Sequence, residues 1–165
     1  MICAIICLVI FASGYVGKMI SLKYKLREEC FYVFVSFAGF AIDNISYFSD
    51  DIGRIFDKFV LDVQSKYVDD FKKIKELVLS ESFELCDLSE IKLMAELKNS
   101  EKQEIFHFLK SLGKSCSESQ VKMIEGQRQA LVKRHNQSLE DKKQKGNIAF
   151  KLSVSIGVIV CILIV

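Results

Sequence analysis

The sequence predicts an all-α protein, a helical bundle of about five to six helices between an N-terminal and a C-terminal transmembrane helix. Three observations favour this fold class. Both ends of the chain are nearly free of charge, the charged residues lie almost entirely between them, and there is no proline to break helix interiors. A chain of 165 residues is long enough for one domain with its own core. We therefore expect an anchor at residues 1–22, a bundle at residues 23–147 and an anchor at residues 148–165.

The N-terminal segment is apolar and carries no charge from Ile2 to Val16. About 20 residues of this character cross a bilayer as a helix. No Lys or Arg precedes the run, so the basic region that opens a cleaved signal peptide is missing. We expect a retained anchor. Cleavage near the small residues Ala12–Gly14 stays open as the alternative.

The C-terminal segment, Ile148 to Val165, is apolar except for Lys151. That lysine lies near the entry point, where its side chain can reach the lipid headgroups. A helix at the edge of a small domain shows one apolar stripe, whereas this run is apolar on all faces. We therefore expect a second transmembrane helix rather than a core helix.

The basic residues that flank the two anchors predict the orientation of the chain. Positive charge concentrates on the cytoplasmic side of membrane helices. Both anchors have their basic residues on the side of the bundle: Lys18, Lys23, Lys25 and Arg27 at the first, and Lys142, Lys143, Lys145 and Lys151 at the second. The bundle is therefore predicted to face the cytoplasm.

The first half of the bundle shows apolar residues at helical spacing. The stretch Arg27–Ile45 continues the first membrane helix. The next helix is predicted to begin at Ser49, Asp50 and Asp51, which supply capping oxygens and negative charge. Its inward residues are expected to be Ile52, Ile55, Phe56, Phe59 and Val60. A further helix is predicted from about Val63 to Leu79, with Tyr67, Phe71, Ile74 and Val78 inward.

Two capping boxes organise the second half of the bundle. A short helix is expected around Ser82–Leu97, with a break near Asp87–Glu90. Ser100 and Gln103 form the first box and open a helix that ends at Gly113. Its inward residues are expected to be Ile105, Phe108, Leu109 and Leu112. Ser117 and Gln120 form the second box, which opens a long helix from about Glu118 to Lys145 that runs on into the second anchor.

The tripeptide Gly113-Lys114-Ser115 matches the end of a phosphate-binding loop. That loop needs the pattern GxxxxGK[ST] after a strand, so that backbone amides converge on the phosphates. Here Phe108 occupies the position of the first glycine, and it lies in a predicted helix. The sequence therefore predicts a turn between two helices at this point and no nucleotide site.

The remaining composition gives no pattern typical of an enzyme. The six cysteines contain no CxxC motif, only two histidines accompany them, and no nucleophile is placed beside a base, so we expect neither a metal or cofactor nor catalysis of a small-molecule substrate. A reactive Cys116 thiol in the loop is the alternative. Between the anchors, 21 of the 23 basic residues balance the 21 acidic residues, which argues against a nucleic-acid surface.

The long helix from Glu118 to Lys145 is unusually polar. Val121, Ile124, Leu131 and Leu139 give it only a thin apolar stripe. Such a helix packs through a narrow seam or offers a polar face to another protein, and a simply solvated face is the alternative. The candidate partner-interface residues are Gln120, Lys122, Gln127, Arg128 and Arg134.

The chain resembles the stage III sporulation protein AB family of endospore-forming bacteria. The resemblance covers the whole layout, with its most specific part in Phe108–Gly113 (FLKSLG) followed by Ser119–Ile124 (SQVKMI). It implies a helical domain similar to the cytoplasmic domain of the type II secretion inner-membrane platform protein. It also implies membership of a channel-like complex on the mother-cell side of the outer forespore membrane, with a secretion-type ATPase and other channel subunits as partners.

Taken together, the residues and the resemblance favour a non-enzymatic membrane platform subunit that docks an ATPase and other complex components. A small two-anchor membrane sensor or adaptor is the alternative function. Signals would then pass between the anchors through the helices that continue from them.

Overall fold

The computed structural model describes residues 2–48, 50–80, 83–112 and 117–164, which contain α-helices and shorter 3₁₀ and π-helical segments and no strand. The predicted all-α class is thereby confirmed. The α-helices are α1 (Ile2–Asp43), α2 (Ile52–Asp62), α3 (Val68–Leu79), α4 (Asn99–Ser111), α5 (Ser117–Asp141) and α6 (Asn147–Ile164). The π-helical segments are Asn44–Phe48 and Lys142–Gly146, and the 3₁₀ segments are Ser65–Tyr67, Leu85–Glu90 and Lys92–Met94.

The chain folds into two compact units. The end unit combines the residues up to Glu28 with those from Asn136 onward, and the central unit comprises Glu29–His135. Helices α1 and α5 contribute residues to both units. The helical runs Leu8–Phe48 and Ser119–Ile162 each contain a stretch that is long and apolar enough to cross a membrane. The predicted anchors are therefore the ends of longer helices, and the three predicted segment boundaries stay predictions.

In the end unit, α1 and α6 pack through small residues. A Cβ atom added to Gly17 would lie 2.0 Å from Ser153 Oγ and 3.1 Å from the Cα of Phe150, and one added to Gly157 would lie 2.2 Å from Ser13 Oγ. The residue numbers rise along one helix as they fall along the other, so the two helices are antiparallel. Small residues permit this close approach of backbones, as in membrane helix pairs. We call Ser13, Gly17, Ser153 and Gly157 the small-residue seam, and the backbone of Phe150 lies beside Gly17 in it.

Ion pairs join the segments of the end unit beyond the small-residue seam, at Arg27–Glu28 and Asp141–Lys142. Arg27 Nη1 donates to Asp141 Oδ2 at 2.7 Å, and Lys142 Nζ donates to Glu28 Oε2 at 2.7 Å. Hydrogen bonds from Lys145 and then from Arg27 lower the pKa of Asp141. The carboxylate is therefore ionised at neutral pH, and the pairs join α1 to the α5 end and to the Lys142–Gly146 segment.

The core of the central unit is built around phenylalanine. The ring of Phe37 on α1 is fully buried, and its centroid lies 4.6 Å from that of Phe56, 5.0 Å from Phe59, 5.4 Å from Phe71 and 6.1 Å from Phe108. One α1 side chain thus contacts α2, α3 and α4. The predicted inward residues Ile55, Phe56, Phe59, Tyr67, Phe71, Ile74, Ile105, Phe108, Leu109 and Leu112 are all buried, whereas Ile52, Val60 and Val78 are partly buried.

The predicted start of α2 is confirmed at Asp51. Its carboxylate accepts the backbone N–H of Arg54 at 2.9 Å, as an N-cap does. Ser49 lies outside the described residues. The predicted start of α3 at Val63 was five residues too early, because Val63 has an extended backbone (φ −70°, ψ 150°) and donates its N–H to Phe59 to close α2.

The short helix expected around Ser82–Leu97 is 3₁₀-helical rather than α-helical, and the break expected near Asp87–Glu90 was wrong, because those residues lie within a 3₁₀ segment. This stretch forms the two 3₁₀ segments Leu85–Glu90 and Lys92–Met94, and Ser82 lies outside the described residues. Side-chain oxygens take the backbone donors that an α-helix would use. Asp87 accepts the N–H of Glu84 at 2.9 Å, and Asp70 of α3 accepts the N–H of Leu93 at 3.0 Å.

The capping box predicted at Ser100 and Gln103 was also wrong. Helix α4 begins at Asn99, and the carboxylate of Glu101, buried in the first turn, accepts the backbone N–H of Lys98 at 2.9 Å. The acidic side chain of Glu101, the third residue of α4, therefore caps the N-terminus of the helix.

The turn and the second capping box predicted between α4 and α5 lie outside the described residues. Gly113 and the turn Lys114–Cys116 lie outside the described residues, as does the side chain of Ser117 that would form the second box. The expected continuation of the long helix into the last segment is confirmed, since α5, the π-helical segment Lys142–Gly146 and α6 follow one another without interruption.

The Asp70 contact gives a testable prediction for the fold. Replacing Asp70 with Ala leaves the buried N–H of Leu93 without its acceptor, which should lower the free energy of unfolding by about 1–3 kcal/mol. Asp70→Asn keeps an acceptor oxygen and should lose less. Urea unfolding followed by circular dichroism measures both variants. Equal losses would show that the charge of Asp70, rather than this hydrogen bond, stabilises the segment.

Candidate partner-binding surface

Helix α5 turns one side toward the core of the central unit. The side chains of Ile124 and Leu131 are buried there, and Val121 is partly buried against the same core. The thin apolar stripe predicted for this helix is thereby confirmed along the central unit. The five predicted partner-interface residues lie on different sides of α5.

Gln120 lies on the buried side of α5. Its side chain is 7% exposed, and its Nε2 has no hydrogen-bond partner among the residues that the structure describes. Positions 120, 124 and 131 are separated by four and seven residues, which places them on one helix face. This position of Gln120 leaves little of its side chain for contact with another protein.

Three other predicted interface residues are half-buried and bind within the central unit. Arg134 donates from Nε to both oxygens of Glu104, at 2.8 and 3.1 Å. Arg128 forms an ion pair with Glu125 at 3.4 Å. Ser111 Oγ lies 3.4 Å from the Oε1 of Gln127. The contacts of Arg134 and Gln127 join α5 to α4, whereas the pair of Arg128 and Glu125 lies within α5.

Lys122 is exposed, and it begins a row of exposed residues. The row continues with Gly126, Gln129 and Lys133, at spacings of four, three and four residues. Such spacings place all four on one side of a helix, which we call the α5 outer face. Only Lys122 was among the predicted interface residues. The same spacing counted forward from Lys122 in the sequence would have identified the other three.

Gly126 is an unusual residue for the interior of an exposed helix. Glycine there costs about 1 kcal/mol of helix stability relative to alanine. A Cβ atom added to Gly126 would meet no atom within 4 Å, so no contact in the described chain requires its absence. A surface without a side chain allows the backbone of another protein to approach closely.

The α5 outer face has a positive character. Two of its four members are lysines and none is acidic, while the neighbouring Glu125 is occupied by its ion pair with Arg128. Rim charges of this kind select partners of opposite charge and accelerate encounter. The face therefore suits a partner surface that carries carboxylates.

The other residues considered for chemistry have structural surroundings. The ring of His135 lies 5.8 Å from that of Tyr32, and the ring of His107 lies 5.8 Å from that of Phe106. Burial, with the nearby carboxylates of Glu101 and Asp70, raises the pKa of the Cys30 thiol well above its usual value. Cys116 lies outside the described residues. In the described part of the chain, no group of three or more His, Cys, Asp or Glu is placed to hold a metal ion.

Two clefts of the central unit lie elsewhere. One, of about 430 Å³, lies between α3 and the Leu85–Glu90 segment and includes Lys73 and Glu76. The other, of about 360 Å³, lies between α1 and α2 and includes Phe40 and Phe59. Neither includes a residue of the α5 outer face, so the candidate surface is a helix face and not a cleft.

The model of a protein family described as stage III sporulation protein AB matches residues 3–165. The chain belongs to the stage III sporulation protein AB family. No curated protein and no solved structure matches it. The family expected from Phe108–Gly113 and Ser119–Ile124 is thereby confirmed. The α5 outer face is accordingly a feature of a sporulation protein, and it begins within the second of these motifs at Lys122.

Proposed function

We propose that this chain is a non-enzymatic membrane platform subunit of a sporulation channel or secretion-like complex. Its central unit faces the cytoplasm, on the mother-cell side of the outer forespore membrane, and docks a secretion-type ATPase and other channel subunits. Two findings support the proposal. The chain belongs to a sporulation family, and both of its ends are apolar helices long enough to cross a membrane.

The observation that carries the docking role is the α5 outer face. It is exposed and positive, and it contains a glycine that nothing in the described chain requires. A solvated face would gain stability from alanine at that position, whereas a docking face benefits from close approach of the partner. We therefore assign this face to the ATPase and expect it to bind an acidic surface there.

A binding experiment with charge reversal tests this function. The full chain in detergent or bilayers is titrated with the purified ATPase, and the dissociation constant is compared among variants. We expect the double variant Lys122→Glu, Lys133→Glu to weaken binding about ten-fold or more, because opposite charges at the interface become like charges. Lys72→Glu, at an exposed lysine on α3, is the control and should bind normally. If the unchanged chain does not bind the ATPase, the proposed function is wrong.

Gly126 gives a second prediction in which stability and binding move in opposite directions. Gly126→Ala should raise the free energy of unfolding by up to about 1 kcal/mol, because alanine is the better helix former. Gly126→Leu should leave the fold intact, since the position is open, but it should obstruct the partner. Thermal unfolding and the same titration measure the two effects. Normal ATPase binding by Gly126→Leu would show that Gly126 does not lie in the interface.

The alternative function, a two-anchor sensor or adaptor, is favoured by one observation. Helix α1 runs without interruption from Ile2 to Asp43 and so contributes to both units. Insertion of two glycines into α1 near Glu28 would separate the alternatives. A sensor should lose its response in sporulating cells, whereas a docking platform should retain ATPase binding by the central unit.

A further inference from the structure

Two lysines lie within the apolar helices of the end unit. Lys18 and Lys151 are both exposed, and neither side chain forms a hydrogen bond or ion pair with the residues that the structure describes. The neighbouring stretches 8–26 and 147–162 contain no Asp or Glu. These cations therefore lack a counter-charge in their own segments of the end unit.

The small-residue seam places the two lysines at the same level. Gly17 contacts Phe150, since an added Cβ atom on Gly17 would lie 3.1 Å from the Cα of Phe150. Lys18 follows Gly17 directly, and Lys151 follows Phe150 directly. In an antiparallel helix pair, the residue that follows a contact residue lies about 1.5 Å further along its own helix axis. The same rise applies to both helices. The two lysines therefore lie within one helical turn of each other along the hairpin.

Both lysines also lie on the same side of the seam. Successive residues of a helix are rotated by about 100° around its axis. In an antiparallel pair, the residues that directly follow two facing contact residues therefore lie on the same side of the pair. Gly14, Val154 and Val158 lie on that side too, because they directly follow the seam residues Ser13, Ser153 and Gly157. Beside Gly14 there is open space, because a Cβ atom added there would meet nothing within 4 Å.

The other side of the seam contrasts with this one. One step before Gly17 and Gly157 lie Val16 and Ile156, which are apolar and carry no charge. The two positive charges are therefore confined to one side, with a small and apolar surface leading away from them toward the chain ends. Two ammonium groups on one side of a helix pair repel each other in surroundings of low dielectric, and an anion between them removes that repulsion.

We propose that Lys18 and Lys151 bind the phosphate of an anionic phospholipid, with an acyl chain along the side formed by Gly14, Val154 and Val158. A phosphate supplies the negative charge that this part of the end unit lacks, and lysine side chains near a membrane surface reach headgroups by extending along the helix. The proposal rests on the membrane anchoring described under the proposed function, but not on docking of the ATPase.

Spin-labelled lipids test the proposal with the full chain. The chain is reconstituted in phosphatidylcholine vesicles that contain a trace of spin-labelled phosphatidylglycerol or phosphatidylcholine. Electron paramagnetic resonance then gives the relative association constant of the anionic lipid. We expect a preference for phosphatidylglycerol that falls by up to about five-fold for each of Lys18→Gln and Lys151→Gln. Lys→Arg at both positions should keep the preference, as should Lys92→Gln, an exposed lysine of the central unit.

The outcomes separate the lipid site from its alternatives. Resistance of the chain to alkaline extraction from the vesicles tests the anchoring independently, and extraction of the unchanged chain would contradict both the anchoring and the lipid site. An inserted chain with no preference for phosphatidylglycerol overturns the lipid site alone. The lipid site is also overturned if Lys92→Gln reduces the preference as much as Lys18→Gln and Lys151→Gln do. That result would show diffuse attraction of the lipid to the whole basic surface.

Discussion

Replacing Phe37 with alanine is expected to lower the free energy of unfolding of the central unit by about 3–5 kcal/mol. The ring of Phe37 is fully buried and contacts Phe56, Phe59, Phe71 and Phe108, so its removal leaves a cavity at the point where α1, α2, α3 and α4 meet. A whole domain is commonly stable by only about 5–15 kcal/mol. The variant should therefore unfold at a much lower urea concentration.

Urea unfolding of the full chain in detergent, followed by circular dichroism at helix wavelengths, measures this loss. Tyr47→Ala is the matched control, because that aromatic side chain lies at the end of the same helical run but is 81% exposed. Its effect should stay within about 0.5 kcal/mol. A loss below about 1 kcal/mol for Phe37→Ala would contradict the central position given to this ring.

Replacing Gly17 with leucine is expected to separate α1 from α6 in the end unit. Even the first side-chain carbon would lie 2.0 Å from Ser153 Oγ and 3.1 Å from the backbone of Phe150, and backbone cannot move aside as a flexible side chain can. Overpacking of a close contact costs about 1–3 kcal/mol and sometimes more. The helices should relieve the contact by moving apart.

Distance measurement between nitroxide labels at Leu8 and Ile162 tests this expectation in bilayers. Both side chains are 70% exposed, so the labels should not disturb the seam, and the native cysteines are replaced by alanine beforehand. Gly17→Leu should lengthen and broaden the distance distribution. Gly14→Leu is the control, since an added side chain there meets open space. Identical distributions for the unchanged chain and Gly17→Leu would show that the seam does not hold the helices together.

The elements that the sequence predicted well are those fixed by local spacing. Ile55, Phe56 and Phe59 are buried because residues three and four apart share a helix face, whatever the rest of the fold does. Absence of proline likewise left α1 free to run from the apolar N-terminal segment into the core of the central unit. Both properties depend on neighbours within a few residues.

One error arose where a distant residue contributes to the local structure. In the 3₁₀-helical stretch before α4, the N–H of Leu93 is accepted by Asp70, 23 residues earlier. No periodicity within the stretch reveals that acceptor. The start of α4 was missed for a local reason: the buried carboxylate of Glu101, three residues after Lys98, bonds the N–H of Lys98 in place of the predicted box of Ser100 and Gln103.

For the candidate surface, too, local spacing could be read from the sequence, whereas contacts with other helices could not. Polarity alone selected Gln120, Arg128 and Arg134, but polarity does not reveal which polar side chains a neighbouring helix will engage. Arg134 proves to bind Glu104 of α4, a contact between residues 30 positions apart. The spacing of the exposed row was readable in the sequence, whereas the open space beside Gly126 required the packed structure.

Photocrosslinking from the α5 outer face in sporulating cells tests the docking role most directly. A photoreactive amino acid is placed in turn at Lys122, Gly126, Gln129 and Lys133, and at Lys72 of α3 as an exposed position on another helix. The docking account predicts adducts with the secretion-type ATPase from the four α5 positions and not from Lys72. Absence of ATPase adducts from all four positions, or stronger adducts from Lys72, would contradict it.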